Sequence, residues 1–394
     1  MKDKKTSTWR DPNSIFAYFA LGFISMAGIY YVNILPVLVG TLIDGLGFSE
    51  SQAGYISSAN VYGASLGAVM AVLVVKSCPW KKLVTLGLGA LVVMDFASIW
   101  LSSFEFLVAS RFISGIFGGM AAGCVIGVMA RLSNPTRAYG IMLICHFSLG
   151  GLGMYLLPML VPYLGAKGMF LSLMTLGALA LIITQFCAAY PIPTSPVDKQ
   201  SEAGSASGRY ALVALALLAL FLCQGANMEF FVYLQRLGLS IGLDMNWVNL
   251  SLAIGLWVGI AGAVLAAMLS TRYGRAWLIT AAALVLASSI ISFLYVSSSQ
   301  WYLILNITLQ IAWAFLLSYL FGICADLDVS GRLAASGGVM SKLGMSTGPF
   351  VAASIVNGEN YDLIVKIGFI GIILCFLCAI LPAIYLDRRK PVVA

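Results

Sequence analysis

The segment "GAVLAAMLSTRYGR", residues 262–275, joins two long apolar runs through a short basic turn. Its first five residues return almost unchanged 195 positions earlier, as "GAVMA" at residues 67–71. The same offset, without a gap, pairs Leu83 with Leu278, Ala130 with Ala325, Arg137 with Arg332 and Gly153 with Gly348. A fixed period of this length indicates that the two halves of the chain share one architecture.

The composition places both halves in a membrane. Of the 394 residues 61% are hydrophobic and 9% are charged, and the mean hydropathy is +0.97. A soluble globular chain is about 45–50% apolar, and a helix crosses a bilayer with about 20 apolar residues. The pattern predicts an all-α polytopic protein whose twelve transmembrane helices form two pseudo-symmetric six-helix bundles. The twelve spans are 15–42, 53–75, 83–102, 105–130, 138–163, 168–190, 210–235, 247–269, 277–297, 300–324, 334–356 and 361–386.

A polar interval separates the sixth span from the seventh. It reads "PIPTSPVDKQSEAGSASGR", residues 191–209, and its Pro, Ser and Gly content is typical of a flexible linker. We therefore expect a domain over residues 1–190, a cytoplasmic linker over 191–209 and a second domain over 210–394.

The basic residues predict the orientation. If both termini are cytoplasmic, that side receives nearly all of the Lys and Arg outside the spans, and the other side keeps only Lys167, Arg236 and Lys366. The net charge of +7 then reflects topology, and no basic groove indicates a nucleic-acid partner. The first residues, "MKDKKTSTWRDPNS", lack the pattern of a cleavable signal peptide, and the short loops favour a bacterial inner membrane.

Two motifs carry a resemblance to a known family. The loop "STRYGR", residues 270–275, is similar to the carboxy-terminal copy of the cytoplasmic loop signature of the major facilitator superfamily, and "RFISGIFGG", residues 111–119, resembles its fourth-helix arginine-glycine pattern. The resemblance covers essentially the whole chain. It implies a monomeric secondary transporter with its binding site between the halves, driven by a proton or other ion gradient without a cofactor or metal. No enzyme motif occurs in the sequence, so catalysis is not expected.

The resemblance also assigns the basic turn a role. In the family this loop braces the cytoplasmic gate, which implies a turn at Gly274 and pairing of Arg272 and Arg275 with Asp326 or Asp328. The alternative is ordinary positive-inside topology. The first-half copy, "VKSCPWKK", departs from the pattern, and Arg131 stands where the repeat places Asp326, so we expect an asymmetric gate.

Ionisable residues inside spans are functional candidates because charge is expensive in a bilayer. Five occur, at Asp95, Arg111, His146, Glu229 and Lys342. Arg111 matches the family's fourth-helix arginine, which implies a role in the substrate cavity and in coupling; the alternative is hydrogen bonding to backbone carbonyls. For Asp95 we expect an inter-helix hydrogen bond.

Glu229, His146 and Lys342 are candidates for coupling and substrate binding. A carboxyl group in an apolar setting favours its protonated form, so Glu229 is a candidate proton carrier; the alternative is a permanent ion pair with Arg111 or Lys342. His146 can relay protons or pack as a neutral side chain. Amides and phenols in the spans suit a small organic ligand. They are Tyr30, Tyr31, Asn33, Asn60, Gln224, Asn227, Asn306 and Gln310.

The cationic candidates outnumber the acidic ones, which favours an organic anion, such as an aromatic or carboxylic acid, as the substrate. Two alternatives stay open. One is a proton-driven exporter of amphipathic cations or metabolites, in which Glu229 pairs with the cation. The other is a receptor or scaffold that has lost transport.

Overall fold

The computed structural model describes residues 11–74, 78–190, 207–270, 272–327, 332–356, 358 and 361–388. In these ranges the regular structure is helical, without a strand. The chain divides into two compact units, Met1–Ser195 and Pro196–Ala394. All eight cysteines are free thiols.

Unit 1 is a bundle of seven helical segments that form six spans. They are α1 (Ile15–Asn33), α2 (Leu35–Leu46), α3 (Glu50–Val74), α4 (Trp80–Ser98), α5 (Phe104–Met129), α6 (Pro135–Leu164) and α7 (Ala166–Phe186).

Unit 2 repeats this order. Its helices are α8 (Ser207–Val232), α9 (Leu234–Ser240), α10 (Met245–Leu269), α11 (Arg275–Ser292), α12 (Ser299–Leu327), α13 (Arg332–Ile355) and α14 (Asp362–Arg388), with a 3-10 turn at Phe293–Tyr295.

The predicted spans and their repeat are both present. Helices α3 and α10 begin and end 195 positions apart, and α4 and α11 begin at the same offset. Among the described residues, ten helices are long and apolar enough to cross a membrane by length and composition. The twelve-helix, two-bundle fold predicted from the sequence is confirmed.

Two predicted spans are broken helices. The first span, predicted as one helix over 15–42, changes direction at Ile34, whose φ of −113° and ψ of 20° are not helical. Pro36 lies in the first turn of α2, where it has no N–H to donate back to the last turn of α1. The seventh span also breaks, without a proline, at Tyr233 between α8 and α9, where φ is −105° and ψ is 7°.

Glycines allow the closest helix contacts in each unit. In unit 1, a Cβ on Gly115 or Gly119 of α5 would overlap backbone carbonyl oxygens of α3. In unit 2, a Cβ on Gly344 or Gly348 of α13 would overlap carbonyl oxygens of α8. Such contacts are typical of membrane bundles, where van der Waals packing holds helices together.

Candidate functional site

A buried ion pair lies at the centre of unit 1. Arg111 of α5 is 1% exposed, and its Nη1 donates to Oδ1 of Asp95 on α4 at 2.7 Å. The Nη2 group donates to the Met94 carbonyl at 3.1 Å and to the Ser98 hydroxyl. The guanidinium also faces the rings of Tyr31 and Phe170, 6.0 and 5.2 Å from their centroids.

These contacts show what the two sequence interpretations of Arg111 missed. The arginine does bond a backbone carbonyl, but its charge is balanced by Asp95, the inter-helix partner that the sequence left unnamed. Since buried charges persist only when they are paired and hydrogen-bonded, Asp95 and Ser98 are as necessary to this site as Arg111 itself.

Tyr31 and Asn60 lie beside this pair. The Asn60 side-chain nitrogen donates to the Arg111 carbonyl at 3.0 Å and to the Ser114 hydroxyl at 3.1 Å, which joins α3 to α5. The other candidates of unit 1 lie elsewhere. Tyr30 packs its hydroxyl against Gly153 of α6, Asn33 ends α1, and His146 contacts the Ser25 hydroxyl at 3.3 Å.

In unit 2, Gln224 joins three helices. Its side-chain nitrogen donates to the Ser341 hydroxyl of α13 at 3.1 Å, and its oxygen accepts from the Trp313 indole of α12 at 2.9 Å. Ser341 precedes Lys342, a half-buried residue whose carbonyl accepts from Ser346. Helix α8 is continuous from Ser207 to Val232, through the amides and the glycine around residue 224.

Glu229 lies further along α8 and is 2% exposed. Neither of its carboxylate oxygens has a hydrogen-bond partner in the part of the chain that the structure describes. The carboxylate lies against Gly368 of α14, where a Cβ would come within 2.9 Å of Oε2. The Asn227 side-chain oxygen is likewise buried and has no hydrogen-bond partner among the described residues.

Asn306 and Gln310 are buried on α12 at the contact with α10. The Asn306 side-chain nitrogen donates to the Ser251 carbonyl. Its side chain fills the space beside Gly255, and Gln310 packs against Gly259. Asn306 therefore joins α12 to α10 by a hydrogen bond, and Gln310 contacts α10 by packing.

The basic turn after α10 is held by two acidic residues. Arg275 donates from Nη2 to Oδ2 of Asp326 at 2.6 Å, and its Nη1 lies 3.5 Å from Oδ1 of Asp387. The Asp387 carboxylate also accepts from the backbone N–H groups of Arg275 and Ala276, at 2.9 and 2.8 Å. Asp387 thus caps the amino end of α11 from the end of α14.

The remaining gate candidates differ in their surroundings. Gly274 has a φ of 81°, a left-handed conformation that glycine adopts without strain. Arg272 is exposed and forms no ion pair with the described residues. Asp328 lies outside the described residues. The sequence analysis did not identify Asp387. This acidic residue lies in "LDRRK", residues 386–390, a segment that was considered only for its basic residues.

Comparisons with known proteins agree with this architecture. Residues 16–353 match the Major Facilitator Superfamily. The nucleoside transporter NupG aligns with a TM-score of 0.71 at 12% identity, over 98% of this chain and 100% of that one. A D-xylose-proton symporter aligns with a TM-score of 0.70 at 14% identity, over 95% and 97%. A bacterial homolog of the human lysosomal transporter Spinster, inward-facing and unoccupied, gives 0.65 at 13%, over 95% and 96%.

At these identities the structural neighbours establish the fold, and no curated protein matches the sequence significantly. The match to the family covers most of the chain and agrees with the repeat, the helix order and the loop motif. The chain is therefore an integral membrane transporter rather than an enzyme, and it belongs to the major facilitator superfamily.

Proposed function

We propose that the protein is a proton-coupled secondary transporter of a small organic anion, working by alternating access in a bacterial inner membrane with both termini cytoplasmic. The observation that carries the coupling is Glu229, a buried carboxyl group without a described hydrogen-bond partner. An unpaired carboxylate is expensive in a membrane span, so Glu229 holds a proton in this conformation and releases it when water reaches it.

The anionic substrate is supported by Lys342, an ionisable residue within a span of unit 2. Arg111 is balanced by Asp95, so it offers little net charge to a substrate. Lys342 is half-buried beside the Gln224–Ser341 hydrogen bond, which supplies orienting amide and hydroxyl groups. We assign Lys342 the role of binding the carboxylate of the substrate, and Gln224 the role of orienting the substrate through hydrogen bonds.

Transport by the purified protein in liposomes tests both assignments. Uptake is measured with and without an inward proton gradient for aromatic acids, aliphatic acids, neutral sugars, nucleosides and amphipathic cations. We expect acids to accumulate with the gradient. Lys342→Ala should abolish acid uptake, and the exposed Lys167→Ala should not.

The coupling step is tested separately by Glu229→Gln. This variant should lose accumulation driven by the proton gradient while keeping exchange of labelled for unlabelled substrate, because a neutral amide resembles the protonated carboxyl. The exposed Glu105→Gln is the matched control. Gradient-driven accumulation by Glu229→Gln would refute the coupling role.

One observation favours a second candidate. The same unpartnered carboxylate suits an amphipathic cation exchanged for protons, as in an exporter. Transport of cations that depends on Glu229, without transport of acids, would establish this function in place of the first.

We also propose that the basic turn stabilises the closed cytoplasmic gate through Arg275, Asp326 and Asp387. Arg275→Glu should increase the labelling of cysteines introduced on the cytoplasmic side, whereas Arg272→Glu, which removes an exposed arginine without a described ion pair, should not. Equal labelling in both variants and the parent would contradict this role.

A further inference from the structure

A small cavity lies beside the Arg111–Asp95 pair, within unit 1. Its volume is about 10 Å³. Helices α1, α3, α4, α5 and α7 all contribute to its wall. The lining residues are Ala27, Gly28, Tyr31, Asn60, Leu91, Asp95, Arg111, Ser114 and Leu173.

Two donors of this wall lack partners. The Nε atom of Arg111 and the hydroxyl of Tyr31 are buried and form no hydrogen bond of normal geometry with the described residues. The Ser57 hydroxyl lies near the Tyr31 hydroxyl, and it too lacks such a bond. Arg111 is 1% and Tyr31 5% exposed, so neither reaches bulk solvent. Most buried polar groups in proteins are hydrogen-bonded to protein or to ordered water, which makes two such donors on one cavity a sign of a bound molecule.

The same wall supplies acceptors. Asp95 receives the Arg111 hydrogen bond on Oδ1, which leaves Oδ2 available. Asn60 donates twice through its nitrogen, which leaves its side-chain oxygen available. A ligand here must therefore accept from Arg111 and Tyr31 and donate to Asp95 and Asn60, which is the bonding pattern of water.

Size and charge agree with this chemistry. A cavity of about 10–15 Å³ holds one water molecule, and a buried water forms two to four hydrogen bonds. The charges of Arg111 and Asp95 balance, so the cavity favours a neutral ligand. We propose that it binds one water molecule, which connects Tyr31 of α1 to the ion pair between α4 and α5.

Unit 2 provides an internal control. The positions 195 residues after Tyr31, Asn60 and Asp95 hold Ala226, Gly255 and Ile290. The counterpart of Arg111 is Asn306, whose nitrogen already bonds the Ser251 carbonyl. The donors and acceptors that surround the cavity in unit 1 are therefore replaced. The carboxylate of Glu229 lies with Ala226 and Ile290 against Gly368, so we do not expect unit 2 to repeat this hydrogen-bond pattern.

A crystal structure that resolves buried waters, determined with and without bromide in the crystal, tests the proposal. We expect an oxygen peak within about 3.2 Å of Arg111 Nε and Tyr31 Oη. The peak should weaken or move in Tyr31→Phe and stay in Tyr30→Phe, an adjacent tyrosine that does not line the cavity. A peak-free cavity, an anomalous bromide signal there, or an unchanged peak in Tyr31→Phe would each overturn it.

Radiolytic labelling gives a second measurement without crystals. X-rays generate hydroxyl radicals from bound water, so Leu91 and Leu173 should be oxidised more than Leu88, a buried leucine of α4 outside the cavity wall. Tyr31→Phe should lower their oxidation, and oxidation equal to that of Leu88 in the parent protein would contradict a bound water.

Discussion

Equivalent positions of the two units hold different residues and form different contacts within the helix bundle. Position 111 of α5 holds an arginine, and position 306 of α12, its counterpart, holds an asparagine. Around Arg111 the partners are Asp95, Ser98 and Ser110. The residues at the corresponding places in unit 2 are Ile290, Phe293 and Leu305.

The replacement is coordinated because a buried charge needs its partners and a neutral amide does not. In unit 2 Asn306 needs one carbonyl, from Ser251, and the space left by the polar cluster is filled by aromatic packing. Phe293 lies 5.0 Å from Phe230 and 5.6 Å from Tyr302, both edge to face. One fold therefore accommodates either a salt bridge or aromatic packing at these equivalent positions.

The largest expected effect comes from breaking the set in unit 1. Asp95→Ile, which copies one residue of unit 2, leaves the Arg111 charge buried without its partner and should lower the free energy of unfolding by about 3–5 kcal/mol. Adding Arg111→Asn should recover part of this loss, because the buried charge is then gone. Unfolding in mixed micelles of increasing SDS content measures both.

Asn306→Arg is the reciprocal variant. It introduces a charge where the counterpart of Asp95 is Ile290. The Glu229 carboxylate lies with Ile290 against Gly368, so Asn306→Arg should be strongly destabilising once that carboxylate is neutralised by Glu229→Gln. An Asp95→Ile, Arg111→Asn variant as unstable as Asp95→Ile alone, or a stable Asn306→Arg, Glu229→Gln variant, would show that the partners of Arg111 do not explain the difference between the units.

The sequence and the structure agree most where hydrophobicity decides. The twelve spans follow from apolar run length, the repeat follows from residues that match at a gap-free offset, and the helix ends lie close to the predicted ones. The break at Ile34 was not predicted, because the apolar run continues through it. Pro36 was a local signal for a break, but the length of the run was given more weight.

Tertiary partners were harder to predict. Asp387 meets the turn at Arg275 from 112 residues away, and no periodicity connects the two. The Arg111–Asp95 pair had a usable signal, because both positions become uncharged in the second half of the repeat. A repeat compared for coordinated changes, rather than for identities, would have named Asp95 as the partner.

A smaller effect should distinguish a glycine that contacts the backbone of a neighbouring helix from one that contacts a side chain. A Cβ on Gly119 would overlap the Ala64 carbonyl, a backbone atom that cannot move alone, whereas a Cβ on Gly259 would meet the Gln310 side chain at 3.2 Å. Gly119→Ala should therefore destabilise by about 1–3 kcal/mol through overpacking, and Gly259→Ala by less. The same SDS titration applies, with Gly89→Ala, which meets nothing within 4 Å, as the control. Equal losses at all three positions would attribute the effect to glycine itself.

The amino ends of α4 and α11 are also held differently. The end of α4 packs Trp80 against Tyr190, with ring centroids 5.4 Å apart, while α11 receives the carboxylate of Asp387. Asp387→Ala should lower stability by about 1–2 kcal/mol, as the loss of a helix cap does. Asp362→Ala is the control, since its ion pair with Lys366 on the same helix is exposed. If both variants lose the same stability, the cap contributes nothing specific.

The smallest effect concerns the amides that join equivalent helix pairs. Asn60 reaches from α3 to α5 with two hydrogen bonds, whereas Asn306 reaches from α12 to α10 with one, and its oxygen has no described partner. Hydrogen bonds between membrane helices contribute about 0.6 kcal/mol on average. Asn60→Leu should therefore lose more stability than Asn306→Leu. In Asn306→Leu, removal of a buried oxygen without a described partner offsets the loss of the hydrogen bond to Ser251. The opposite order would mean that the Ser251 carbonyl depends on Asn306 more than the Arg111 carbonyl depends on Asn60, and that the neutral centre of unit 2 is held by its amide rather than by its aromatic packing.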